Sequence, residues 1–262
     1  MQNKKNQLKH NPVIVVPHYE HLAQFERTLP RLLPFGVDIL VVDDGSSTET
    51  KAGLADLLTN LSNVHLVEYT ENGGKGHAMK VGLQTAFDRQ YSHAIQVDAD
   101  GQHRVEDLPT VIRLAEQHPD ALISGLPVFD GDIPKARLYG RKFGDFWTTM
   151  ETLSRRVADA MCGFRVYPLA SVVPLLGKHR LSNRMPFDTE ILVVADWSGI
   201  ALRYFRTPVR YPEDGRSHFH YLHDNLGLAG MHTRLMFGML MRSPKLLYAN
   251  FRRGFAAPPP LV

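Results

Sequence analysis

A chain of 262 residues with 44% hydrophobic and 22% charged content can bury one sizeable core or two small ones. Its net charge of +3 implies no nucleic-acid partner, and its single cysteine, Cys162, excludes an internal disulfide framework and a cysteine-based metal centre. The polar start, MQNKKNQLKHN, lacks the apolar segment of a secretory signal. The most apolar long stretch, Leu226 to Met241, is interrupted by His232 and Arg234 before reaching the ~18 residues of a spanning helix. The expected location is the cytoplasm, with any lipid met peripherally at the inner face of the plasma membrane.

Residues 1–10 are expected to be flexible. β-Branched runs at Val13–Val16, Ile39–Val42, Val64–Val67 and Ala94–Val97 predict strands. Between and after them, helical spacing marks Leu22–Leu33, Leu54–Leu58, Ala78–Phe87 and Leu108–Ala115. Alternation of this kind predicts an α/β fold with a parallel sheet covered by helices on both faces. Val128 to Lys135 reads as a loop, Tyr139 to Met161 as a long helix, Phe164–Tyr167 as a strand, Thr189–Trp197 as a helix and Ala201–Thr207 as a strand. A polar loop, Arg210 to Ser217, is followed by two basic amphipathic helices, Phe219–Met241 and Pro244–Arg253, and by a tail expected to be disordered. The expected organisation is a catalytic domain over 11–218, C-terminal helices over 219–254 packed on it or on a membrane, and a tail over 255–262.

The predicted strands end in polar loops, where ligands of open parallel sheets collect. Asp98 and Asp100 follow the fourth strand. On extended backbone, residues i and i+2 point the same way, so the two carboxylates, with Gln102 next in step, are candidate ligands for Mg²⁺ or Mn²⁺. A second Asp-x-Asp, Asp130-Gly131-Asp132, has no strand before it and reads as a loop. Asp43 and Asp44 follow the second strand. They are either a turn with Thr48 capping the next helix, or acceptors for a nucleotide's base or ribose. In Asn72-Gly73-Gly74-Lys75-Gly76 the amides of a glycine-rich helix start can approach a phosphate, although the spacing also suits a plain tight turn. Asp188 and Glu190 near a helix start are candidate general bases for a hydroxyl acceptor, and the helix dipole alone would also favour them there. Arg210, Arg216, Ser217, His218 and His220 gather around Gly215. They are suited to closing over a diphosphate or to lying solvated, with His218 a further candidate metal ligand.

Taken together, VVDDGSS (41–47), NGGKGHAMKVGL (72–83), QVDADGQH (96–103), DAMCGFRVYP (159–168) and FDTEIL (187–192) resemble family 2 glycosyltransferases of the GT-A fold. Within that family the resemblance is to polyprenyl- and dolichyl-phosphate sugar synthases, and the C-terminal segments look like soluble bacterial members tied to lipid or aryl-polyene assembly. The resemblance implies a metal-dependent, inverting transfer from a UDP- or GDP-sugar to a lipid-linked or polyprenyl-phosphate-like acceptor. It places Pro17, Asp43, Asp44, Gly74, Lys75 and Asp98 around the nucleotide-sugar and Arg165 at a sugar or acceptor phosphate. Asp98, Asp100 and Gln102 would hold the metal, and Asp188 would sit near the reacting sugar. Arg210, Arg216 and Ser217 would form a loop over the diphosphate, with His218 where a Lys is usual. A sugar nucleotidyltransferase and a non-catalytic nucleotide-sugar-binding scaffold are the competing classes. The first lacks its Gly-rich, Arg-containing loop after the first strand, where Pro17-His18-Tyr19 stands.

Overall fold

The computed structural model describes residues 10–129, 135–208 and 221–262, with the side chains of 135–138 and 221–226 left aside. The predicted first four strands form as β1 (Pro12–His18), β2 (Asp38–Asp43), β3 (Val64–Glu68) and β4 (His93–Gln96). They join β5 (Ala121–Val128), β6 (Arg165–Pro168) and β7 (Ala201–Pro208) in one sheet of order β3-β2-β1-β4-β6-β5-β7. Only β6 runs against its neighbours, so the N-terminal end of β6 lies at the same sheet edge as the C-terminal ends of the others.

Alternate residues of the strands feed two cores, as apolar strands covered on both faces require. Val13 and Val15 face one core with Met79 and Leu83 of α3 (Lys75–Asp88), Val172 of α6 (Leu169–Lys178), Ile191 of α7 (Phe187–Trp197) and Leu235 of α8 (Tyr221–Arg253). Ile14 and Val16 face the other with Phe25 and Leu29 of α1 (Leu22–Leu32), Leu54 of α2 (Thr48–Leu58) and Val111 of α4 (Leu108–Gln117). The remaining helix, α5 (Lys135–Thr152), packs against α7 and α8.

Four readings change. The long helix expected to reach Met161 stops at Thr152, because Leu153 takes a left-handed φ of 51°. The two C-terminal helices are one continuous helix through Pro244. A proline leaves the carbonyl four residues back without its amide, and here Ser243 Oγ donates to Leu240 O at 3.0 Å. The tail is ordered, since Leu261 N donates to Tyr204 O at 2.7 Å and Arg206 N to Val262 O at 3.1 Å, extending the sheet edge at β7. Strand β5 and helix α6 were not anticipated. The loop over 210–217, the Asp130-Gly131-Asp132 segment and the boundary at 218 lie outside the described residues.

Candidate active site

Three of the sequence motifs converge on one ammonium group. Lys75, the first residue of α3, places Nζ 2.9 Å from Asp98 Oδ2 just beyond β4, and 2.9 Å from Asp188 Oδ2 in the first turn of α7. Burial works to lower the Lys75 pKa. The Asp188 and Asp98 charges outweigh it and hold the amine above its ordinary range. Burial likewise works to raise the Asp98 carboxyl, and Lys75 and His103 reverse this, holding it below the ordinary 3.8. Asp188 Oδ1 is buried without a hydrogen-bond partner among the described residues, 3.8 Å from Arg165 Nη1.

Asp98 is braced from behind. Tyr167 Oη donates to Gln96 Oε1 at 2.8 Å, and Gln96 Nε2 donates to Asp98 Oδ1 at 3.0 Å. The Asp98 amide donates to His103 Nδ1 at 3.3 Å, and the His103 ring stacks on Phe164. Gly163 faces Asp98, and a Cβ there would lie 2.5 Å from Asp98 Oδ2. Gln96, Tyr167 and His103 were not singled out from sequence. The signal for Gln96 was a glutamine inside an apolar strand, where it is fully buried.

Other expected site residues are held by the protein itself. Asp43 is buried, paired to His18 Nδ1 at 2.8 Å and accepting from Ser46 Oγ and N. Burial opposes ionisation of Asp43, and the bonds from His18 and Ser46 prevail to lower its pKa. Asp44 accepts from the amides of Gly73 at 3.1 Å and Gly74 at 2.5 Å, so these loop amides serve a carboxylate of the chain rather than an open phosphate cradle. Gly74 is needed for close approach, because its Cβ would meet Asn183 O at 2.7 Å and its φ is 98°. The cap of α2 is Ser47 rather than Thr48, accepting from Thr50 N, while Glu20 takes Ser47 N and Thr50 Oγ1. Pro17 is buried within β1, paired with Val42.

Arg165 is fully buried and donates to Asp188 O at 2.5 Å and Ala160 O at 2.9 Å. It therefore lies beneath Asp188 and fixes that residue's backbone. Glu190 is also sealed, accepting from Ser182 N at 2.5 Å and Ser182 Oγ at 3.0 Å and paired to Arg234 of α8, so it is not presented as a base. Burial pushes the Cys162 thiol up to about 12, which removes it as a nucleophile. Arg210, Arg216, Ser217 and His218 lie outside the described residues.

The expected metal ligands do not sit on extended backbone. β4 ends at Gln96, and Asp100 lies in a turn with Oδ1 accepting from Gln102 N at 3.0 Å. No cluster of three His, Cys, Asp or Glu able to hold a metal occurs among the described residues. Asp98 and Asp100 are both partly exposed, and they fit Mg²⁺ or Mn²⁺ insofar as such ions are commonly held by one or two carboxylates with substrate phosphates completing the shell, Asp98 sharing its oxygens with Lys75 and Gln96.

The sheet, with its acidic groups gathered at the C-terminal edge, defines the class of a GT-A glycosyltransferase fold. Glucosyl-3-phosphoglycerate synthase from Mycobacterium tuberculosis, solved with Mn²⁺, UDP-glucose and phosphoglyceric acid, superposes with a TM-score of 0.62 over 89% of this chain and 79% of that one, at 16% identity. Residues 13–171 match the profile of glycosyl transferase family 2, and the chain belongs to that family of glycosyltransferases. Polyprenol monophosphomannose synthase of Mycolicibacterium smegmatis is 33% identical over 163 residues, 59% of this chain and 60% of that protein. Undecaprenyl-phosphate mannosyltransferase of Micrococcus luteus is 28% identical over 159 residues, 58% of this chain and 64% of that protein. The chain thus aligns with less than two thirds of either relative.

Proposed function

We propose that this glycosyltransferase moves a sugar from a UDP- or GDP-sugar to a polyprenyl-phosphate-type lipid, with inversion at the sugar carbon and with Mg²⁺ or Mn²⁺ as cofactor. The reading rests on the Lys75 ammonium held between Asp98 and Asp188 at the C-terminal edge of the sheet. The names of the two relatives supply the acceptor class. Asp98 and Asp100 would hold the cation, which supplies neutralising charge to the leaving diphosphate. Lys75 adds a fixed positive charge at the same edge, where it is effective because its surroundings are largely dry. Asp188 holds the Lys75 ammonium in place through Oδ2, while Arg165 fixes the backbone that carries it. A lipid phosphate is already anionic and attacks without a base, so the sealing of Glu190 costs the reaction nothing. With a hydroxyl acceptor, Asp188 would be the base. Peripheral contact with the inner face of the plasma membrane belongs to this reading, and no described helix is long and apolar enough to cross a membrane.

The test is transfer of radiolabelled sugar from a panel of UDP- and GDP-sugars to polyprenyl phosphate with Mn²⁺. The expected product partitions into organic solvent, carries the inverted anomer and is abolished by chelation. Label transferred only to water-soluble acceptors would overturn the lipid assignment.

A further inference from the structure

Away from the carboxylate edge, α5 and α8 each carry an exposed apolar stripe. On α5 the stripe runs through Tyr139, Phe143 and Phe146. On α8 it runs through Phe237, Leu240, Met241, Tyr248 and Phe251, at the i, i+3, i+4 spacing of one helix face. Phe143 is 60% exposed, Phe237 65%, Met241 85% and Phe251 81%, a density far above the scattered apolar side chains of an ordinary surface. Between the stripes lies a groove of about 430 Å³, lined by Phe143, Trp147, His232, Met236, Phe237 and Leu240. Its base is rigid, for Trp147 stacks on His232 with centroids 5.4 Å apart, and His232 Nδ1 is 2.6 Å from the buried Glu151 Oε1.

The charges select the occupant. Exposed Lys142 falls within the α5 stripe, three residues after Tyr139, and Lys245 follows Met241 by four. Arg252 donates to Tyr248 Oη. No Asp or Glu occurs from Asn225 to Val262, and α5 offers only half-buried Asp145 besides buried Glu151. A second copy docked about a two-fold axis would set these cations against themselves with almost no carboxylates to answer them. An anionic bilayer answers them directly.

We propose that the groove between α5 and α8 receives a hydrocarbon chain of an anionic phospholipid from a bilayer on which the two stripes rest. The probe is Trp147, one of two tryptophans in the chain and the one lining the groove, with vesicles of chain-brominated phosphatidylglycerol as quencher. The expected result is loss of the Trp147 share of emission, defined by difference from Trp147→Phe. Vesicle binding should fall at least about tenfold in Phe237→Asp/Leu240→Asp, whose targets are exposed and so tolerate the change. Three results would overturn it: no vesicle binding, vesicle binding without quenching, or a lipid-free dimer that shields Trp147. Nucleotide-sugar binding by the same variants, read separately by thermal shift, distinguishes failure of the groove from failure of the transferase reading.

Discussion

Replacing Asp188 by asparagine is expected to lower turnover about 10²- to 10³-fold, the usual scale for removing one preorganised electrostatic contact. The change keeps the side-chain volume, and the Lys75 ammonium keeps its pair with Asp98 at 2.9 Å. The new amide cannot turn its NH₂ toward the Lys75 ammonium, which sits 2.9 Å from Oδ2. It must place NH₂ where Oδ1 now stands, toward Arg165 Nη1 at 3.8 Å, so a donor meets that cation in place of a carboxylate oxygen and Lys75 loses half of its charge partners. Steady-state kinetics with retained nucleotide-sugar affinity is the check, and wild-type turnover in the variant would remove Asp188 from the reaction. The same triangle sets an acid limit. Because the Asp98 carboxyl is held below its ordinary 3.8, the unfolded chain takes up the proton first. The contribution is therefore complete above about pH 4 and fades as pH falls below that value.

The largest stability effect is expected at Arg156. Its guanidinium forks onto Asp196 at 2.7 and 2.8 Å and also donates to Asn250 Oδ1 at 2.6 Å and Gly254 O at 2.5 Å. Asn250 in turn donates to the carbonyls of Thr152 and Leu153. One buried cation thus ties the end of α5, the end of α7 and the end of α8 together. Arg156→Met leaves the Asp196 carboxylate buried beside Arg253 alone, at 3.6 Å, and breaking a buried pair from one side costs about 3–5 kcal/mol. For a domain of this size the melting temperature should drop by about 10 °C, measured by calorimetry. Arg156→Lys should fall between, since it keeps the charge without the planar fork. An unchanged melting temperature in Arg156→Met would show that the network is dispensable.

The first half of the fold was legible because its strands are apolar on both faces and their loops concentrate carboxylates and glycines. The convergence of Lys75, Asp98 and Asp188 needed the resemblance, since nothing in the spacing brings residue 188 to residue 75. β5 was hidden because its run, ALISGLPV, contains Gly125 and Pro127. The glycine is forced by packing, for a Cβ there would lie 2.9 Å from both Cys162 Sγ and Thr207 Cγ2. α6 was hidden by Pro174 inside it, and the continuity of α8 by Pro244. Local sequence did not show which groups of the chain the doubled Asp43-Asp44 engages. The two carboxylates avoid repulsion by facing different partners, His18 with Ser46 for one and the Gly73–Gly74 amides for the other. The backbone bonds of Arg165 to Asp188 and Ala160 were likewise not legible, since local sequence does not show that this charged side chain is fully buried.

The proposed function requires that the edge formed by Lys75, Asp98 and Asp100 bind a nucleotide-sugar together with a divalent cation. The most direct measurement is thermal stability with UDP-, GDP- and dTDP-sugars, each with and without Mn²⁺, for wild type and Asp100→Ala. A donor present at 100 times its Kd adds roughly 2.7 kcal/mol, or roughly 5–10 °C at this size. That shift is expected for one nucleobase, dependent on Mn²⁺ and absent in Asp100→Ala. Folded wild-type protein that none of the donors stabilises, with or without Mn²⁺, would contradict it.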